Sequence, residues 1–130
     1  MIKRRHKRFP ITGTATLQFE DEGESRTILA VLSNISTVGV GLYTDNPIEA
    51  NKQVSVTINF ISIDGIEDSI IEGSVVCTKE LGNIHYVGIQ FNEYVNPKNQ
   101  PVLFKHIQNI LAFDKETISS CYRELYLFPQ

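Results

Sequence analysis

The 130-residue sequence predicts an all-β domain with a helical addition: a six-stranded antiparallel β-barrel, a flexible N-terminal arm before it and a C-terminal helix after it. Three observations carry this. Six stretches rich in β-branched and aromatic residues recur at short, even spacing with turn chemistry between them, the pattern of a small closed barrel. After residue 95 the apolar period changes from two to that of a helix. Before residue 11 the chain is neither, because five of its twelve Lys and Arg residues fall within the first eight positions. The expected organisation is one domain, with a basic arm over 1–10, the barrel over 11–95 and a helical segment over 96–130.

The strands follow in order. Ile11 to Glu20 alternates small or apolar with polar residues and is rich in Thr, which suits a half-buried strand. Asp21-Glu22-Gly23-Glu24 is a hairpin turn. Arg26 to Leu32 is nearly all apolar at its end and reads as a strand covered on both faces. Ser33 to Thr37 interrupts it, since Ser and Asn side chains compete for their own backbone. Val38 to Thr44 is the third strand, and Gly39 and Gly41 share one face of it, a sign that something approaches the backbone there.

Gln53 to Ile63 keeps a strict period of two, with Val54, Val56, Ile58 and Phe60 on one side. Asp64-Gly65 supplies hairpin chemistry, and Ser69 to Thr78 is the partner strand. Leu81-Gly82-Asn83 turns the chain into the sixth strand, Ile84 to Phe91. Asn96-Pro97 then reads as an N-cap followed by proline at the first helical position, with Leu103, Phe104, Ile107, Ile110 and Leu111 on one face. This helix is expected to cover one open end of the barrel. Ile118, Cys121, Tyr122 and Leu125 fall at helical spacing as well, so 116–126 reads as a second short helix.

Composition narrows the function. The longest apolar run, Ile28 to Leu32, is far too short to span a membrane. The basic start is not followed by the apolar segment of a signal peptide, so the expected location is the cytoplasm. Cys77 and Cys121 read as two independent reduced thiols, and His6, His85 and His106 stand in no zinc-ligand spacing with them, so no metal is expected. No nucleophile motif, placed carboxylate pair or phosphate-cradling glycine loop is present, which argues against an enzyme. The arm carries five basic groups, whereas the other 122 residues hold seven basic against fifteen acidic. That asymmetry points to an anionic partner for the arm and away from a polyanion groove over the body.

Two clusters carry chemistry. Arg4 and Arg8 can fork onto phosphate oxygens, and their guanidinium planes can stack on purines. Asn34-Ile35-Ser36-Thr37-Val38-Gly39 sets an amide, a hydroxyl and a glycine at a strand-to-strand corner. Asn34 donates and accepts at once, as reading a base edge requires, and Gly39 lacks the Cβ that would keep a flat ligand away. Together they describe a phosphorylated purine held between a mobile arm and a barrel face. Tyr43, Tyr86 and Tyr94 read as wall or rim residues.

These same residues resemble a known family. Arg4 to Arg8 fits the RxxxR element, and Asn34 to Gly39 fits the [D/N]xSxxG element, of the PilZ domain, the bacterial receptor module for cyclic di-GMP. The closing strands, Gly73 to Cys77 and Tyr86 to Phe91, are similar too, and the likeness covers residues 4 to 113. The resemblance implies that Arg4 and Arg8, assisted by Arg5, bind the phosphates and stack on guanine. It implies that Asn34 and Ser36 contact a guanine edge and that Gly39 gives the ligand room. Lys3, a basic residue just before the first arginine, implies two intercalated ligands per site. Where some relatives carry a stacking tryptophan, this chain has Cys77, which implies a weaker grip of about 1–3 kcal/mol. The expected protein is a cyclic di-GMP receptor whose arm closes on the barrel and signals to a protein partner. Two rivals are a small barrel that binds RNA or single-stranded DNA, and a protein-interaction adaptor that has lost its ligand.

Overall fold

The computed structural model describes residues 8–62 and 65–113. Lys3, Arg4 and Arg5, the Asp64 side of the hairpin and the second helix expected over 116–126 lie outside these residues. Among the described residues seven strands and one helix follow one another: β1 Phe9–Pro10, β2 Gly13–Asp21, β3 Glu24–Ile35, β4 Gly39–Thr44, β5 Gln53–Ser62, β6 Gly65–Leu81, β7 Ile84–Phe91 and α1 Pro101–Phe113. The sheet order is β1-β3-β2-β5-β6-β7-β4, and β4 returns to pair with β3. Six antiparallel strands therefore form a closed ring, which leaves no long unpaired edge. The six expected strands are these six, and β1 is an addition to them.

Period-two patterning places the core. Leu17 on β2, Leu42 on β4, Val56, Ile58 and Phe60 on β5 and Ile89 on β7 have no exposed surface. α1 closes one end of the ring with Leu103 and Ile107, both buried, while His106 stacks on Phe60 at 4.6 Å between ring centroids. Burial of that imidazole holds the His106 pKa below its ordinary 6.5, because the charged form loses its water. The β2–β3 turn is the expected hairpin: Asp21 pairs with Glu24, and Glu22 and Gly23 both take positive φ, 52° and 82°, as a two-residue turn matched to strand twist requires.

Three expectations are corrected. β3 is not covered on both faces, since Leu29 and Val31 stand 70% and 56% exposed; an antiparallel ring buries one face of each strand and leaves the other to solvent. Nor does β3 stop at Leu32. It runs on to Ile35 through a register shift between Leu32 and Asn34, and the extra residue lets Leu32 and Ile35 both reach the core although they are three apart. Finally, α1 begins at Pro101 and not at Pro97.

The asparagine chemistry at that last junction serves a different element. Asn96 Oδ1 accepts from the backbone N–H groups of Lys98 and Asn99, and Asn99 Oδ1 accepts from Asn96 N, which closes a single turn over 97–99. The helix starts one turn later, where Phe104 N donates to Gln100 O and Pro101 holds the first helical position. A helix begun at Pro97 would have run into Pro101, which has no N–H to give to the carbonyl four residues back.

Candidate functional site

The site is built where the arm meets the β3–β4 corner. Phe9 pairs with Ile35 and Pro10 with Asn34 across β1 and β3. Phe9 is buried and anchors the pair, and Pro10 costs nothing on a two-residue edge strand that need not donate. Ile11 N adds a bond to Ser33 O. The end of the basic arm is thus part of the sheet, and Arg8, the last arginine of RxxxR, is delivered to the corner. Its Nη1 donates to Asn34 Oδ1 at 2.9 Å.

Asn34 is in turn held from the other side. Its Nδ2 donates to Tyr86 Oη at 3.1 Å and to Ser33 Oγ at 3.2 Å. A chain of hydrogen bonds, Arg8 to Asn34 to Tyr86, therefore joins the arm, β3 and β7. The half-buried Tyr86 ring meets Tyr43 edge-on, with centroids 5.5 Å apart and planes at 66°. Tyr86, read from the sequence as a wall or rim residue, also reaches the amide at the centre of the corner. No sequence spacing announces this, since 52 residues separate Tyr86 from Asn34; only the pairing of β4 with both β3 and β7 brings them together.

The two glycines of β4 serve different neighbours. A Cβ at Gly41 would strike Tyr86 Oη and stand 2.8 Å from Asn34 Nδ2, so its absence is the notch in which Tyr86 and Asn34 meet. A Cβ at Gly39 would stand 2.5 Å from the Ile89 carbonyl oxygen on β7, so its absence lets two backbones approach. Gly41 pairs with Gly88, and Gly88 with Cys77. The row running from Asn34 across the sheet therefore carries no side chain until the exposed Cys77.

Ser36 sits beneath this surface, 1% exposed. Its Oγ accepts from Val38 N at 3.2 Å, and its own N–H donates to Gly39 O. The turn is also tied outward, with Phe91 N bonding to Val38 O and Val95 N to Thr37 O. A corner fixed at this many points keeps the Asn34 position and the Gly39 backbone in one geometry, as a pre-organised binding surface needs. Arg8, Asn34, Ser36 and Gly39 thus gather at one corner.

A groove of about 910 Å3 at the other end of the ring is lined by Phe19, Ile28, Ile48, Asp21, Arg26 and Lys52. Its cations are matched from within: Asp21 lies 3.3 Å from Arg26 Nε and 3.5 Å from Lys52 Nζ, and Glu24 and Glu49 line the same groove. Such a surface has no surplus charge for an anion, unlike the corner fed by the arm. Among the described residues no three His, Cys, Asp or Glu side chains gather as metal ligands, and no helix is long and apolar enough to cross a membrane.

Comparison with known proteins bears on this corner. The sequence model of the PilZ domain matches residues 2–112. A comparison with curated proteins finds no match. Among solved structures the chain is similar to the inhibitor of motility MotI/DgrA of Bacillus subtilis, with a TM-score of 0.65 and 12% identity over 90% of this chain and 54% of that one. It is similar to MrkH of K. pneumonia in complex with c-di-GMP, with a TM-score of 0.65 and 17% identity over 89% and 55%. It is also similar to the PilZ domain of YcgR from Escherichia coli with c-di-GMP, with a TM-score of 0.58 and 14% identity over 94% and 99%. The chain spans about half the length of the first two and nearly all of the third. At such identities the likeness is one of fold.

Proposed function

The chain belongs to the PilZ domain family, and from that premise we propose that it is a cytoplasmic cyclic di-GMP receptor, a binding module without catalytic chemistry. The observation that carries the reading is the bond from Arg8 Nη1 to Asn34 Oδ1 at 2.9 Å. It joins the last residue of RxxxR to the first of NxSxxG, so the two halves of the pattern meet in space. Solved relatives of the same fold were captured with c-di-GMP.

In this reading Arg4 and Arg8, with Arg5, take the ligand's phosphates, and Asn34 offers its amide to a guanine edge. Ser36 acts chiefly by fixing the turn that sets Asn34 and Gly39 in place, and a direct bond from its hydroxyl needs the base to reach into the corner. Arg8 has a reason to change partner. Asn34 Oδ1 is a neutral acceptor that takes one bond, whereas a phosphate is itself charged and can accept from both nitrogens of the guanidinium fork at once. Two such charges draw the arm onto the barrel, and the closed surface is what a downstream protein recognises. Lys3 favours two ligands per site.

Calorimetric titration tests this, with cyclic di-GMP as ligand and GMP, cyclic di-AMP and a short RNA as controls. The expected result is binding of cyclic di-GMP alone, weakened about 10- to 100-fold by Arg8→Ala through loss of charge-assisted bonds of about 1.5–3 kcal/mol. Binding of RNA with silence toward cyclic di-GMP overturns the reading in favour of a nucleic-acid module. Full affinity in Arg8→Ala removes the arm from the mechanism.

A further inference from the structure

We propose that Tyr86 is a positioning residue of this site, whose hydroxyl takes one N–H of the Asn34 amide, helps keep its oxygen end toward a ligand base and so contributes to the choice of guanine over adenine. The inference rests on the cyclic di-GMP reading above. An asparagine amide has one end that only accepts and one that only donates, almost equal in shape, and its surroundings must select between two orientations. Here Arg8 selects the end, and two hydroxyls, which can donate or accept, take up the other. Arg8 carries donors only, so the end that faces it is Oδ1. The two N–H groups of Nδ2 are both taken, one by Tyr86 Oη and one by Ser33 Oγ.

Tyr86 is the less adjustable of those two acceptors. Ser33 is the chain neighbour of Asn34, and its hydroxyl swings on a single side-chain bond. The Tyr86 oxygen is brought by another strand, its ring is braced against Tyr43, and its tip occupies the notch left by Gly41, where a Cβ would strike it. With both donors engaged inside the protein, the free lone pairs of Oδ1 are the edge that Asn34 presents once Arg8 has moved to a phosphate. An acceptor suits guanine, which shows two adjacent donors, N1–H and N2–H, on its Watson–Crick edge, better than adenine, which offers N6–H alone beside N1, itself an acceptor. Without the Tyr86 hydroxyl one N–H of Nδ2 loses its acceptor and the amide can turn over, presenting a donor instead.

This orienting role is needed by an amide and not by a carboxylate, whose two oxygens are equivalent acceptors. The test is therefore a four-way comparison by calorimetry of the wild type, Tyr86→Phe, Asn34→Asp and the double variant, each titrated with cyclic di-GMP and with cyclic di-AMP. Tyr86→Phe keeps the ring and its contact with Tyr43, and its melting temperature is expected to match the wild type. It should weaken cyclic di-GMP binding about three- to ten-fold, the worth of one hydrogen bond, and narrow the preference over cyclic di-AMP. In the Asn34→Asp background, where the hydroxyl can still donate to a carboxylate but has no amide end to hold, the same substitution should leave the preference unchanged to within about two-fold. Gly41→Ala, which displaces the hydroxyl by another route, should narrow the preference in the same direction. An equal narrowing of the preference in both backgrounds, or an unchanged preference in Tyr86→Phe, overturns the proposal. Silence of the wild type toward cyclic di-GMP would instead overturn the receptor reading on which it rests.

Discussion

Gly39 and Gly41 lie two residues apart on the same face of β4, and alanine at each is expected to fail in a different way. At Gly39 the added Cβ would stand 2.5 Å from the Ile89 carbonyl oxygen, with Gln90 Cα and the Ile89 carbonyl carbon next at 3.5 Å. All three are backbone atoms of the paired strand, so none can turn aside. Relief requires β4 and β7 to part along the register that joins Gly39 to Gln90 and Val40 to Ile89. Overpacking of this kind costs about 1–3 kcal/mol, and the rigidity of the neighbour places Gly39→Ala at the upper end. For a chain of this length that is a fall of roughly 6–12 °C in melting temperature. At Gly41 the atoms met are the ends of the Tyr86 and Asn34 side chains, which can rotate away. Gly41→Ala should therefore cost about 1 kcal/mol or less in stability while breaking the hydrogen-bond chain from Arg8 to Tyr86. Thermal melting followed by circular dichroism, paired with cyclic di-GMP titration of the same samples, reads both effects. A Gly39→Ala variant that melts within a degree of the wild type would refute the argument from backbone approach.

Two further outcomes follow from α1 and the core it covers. Phe60 has no exposed surface and carries the stacked His106, so Phe60→Ala should lose about 3–5 kcal/mol in urea unfolding; a loss under about 1 kcal/mol would mean that α1 collapses into the space. His106 makes the fold sensitive to acid. Its folded pKa is lowered from 6.5 by burial, so above that value it is neutral in both states and burial costs it little. As the pH falls below 6.5 the unfolded chain takes up the proton first, and stability declines with falling pH until the folded form is also protonated. His106→Phe keeps a ring against Phe60 and removes this titration, so the stability difference between variant and wild type should grow in the variant's favour from pH 7 to pH 5. A difference that stays constant over that range would contradict the burial argument.

The strand plan was legible in the sequence because side-chain alternation and turn chemistry are local. Val54, Val56, Ile58 and Phe60 alternate into the core as the period of two requires, and Asp21 to Glu24 makes the hairpin its composition suggests. Residue type also singled out Arg8 and Asn34, which the structure brings into contact, since only a few side chains can fork onto phosphate or read a base edge. What the sequence left open were choices between equally good local signals. Asn96-Pro97 and Gln100-Pro101 both start helices, and only the lack of an N–H at Pro101 inside the longer alternative decides between them. Ser33 to Ile35 has the composition of a break, yet ring closure draws it into β3 with one extra residue, because both Leu32 and Ile35 gain by burial.

By itself, then, the sequence determined the all-β class, the trailing helix, the charged arm and the residue types of the corner, all of them properties of short stretches. The tertiary structure alone decided that Phe9 and Pro10 join the sheet and carry Arg8 to Asn34, that Gly41 is a notch while Gly39 is a point of backbone contact, and that Tyr86 completes the corner. Each of these depends on which strands pair and in what register. That is set by the closure of six strands around one core, and no window of neighbouring residues contains it.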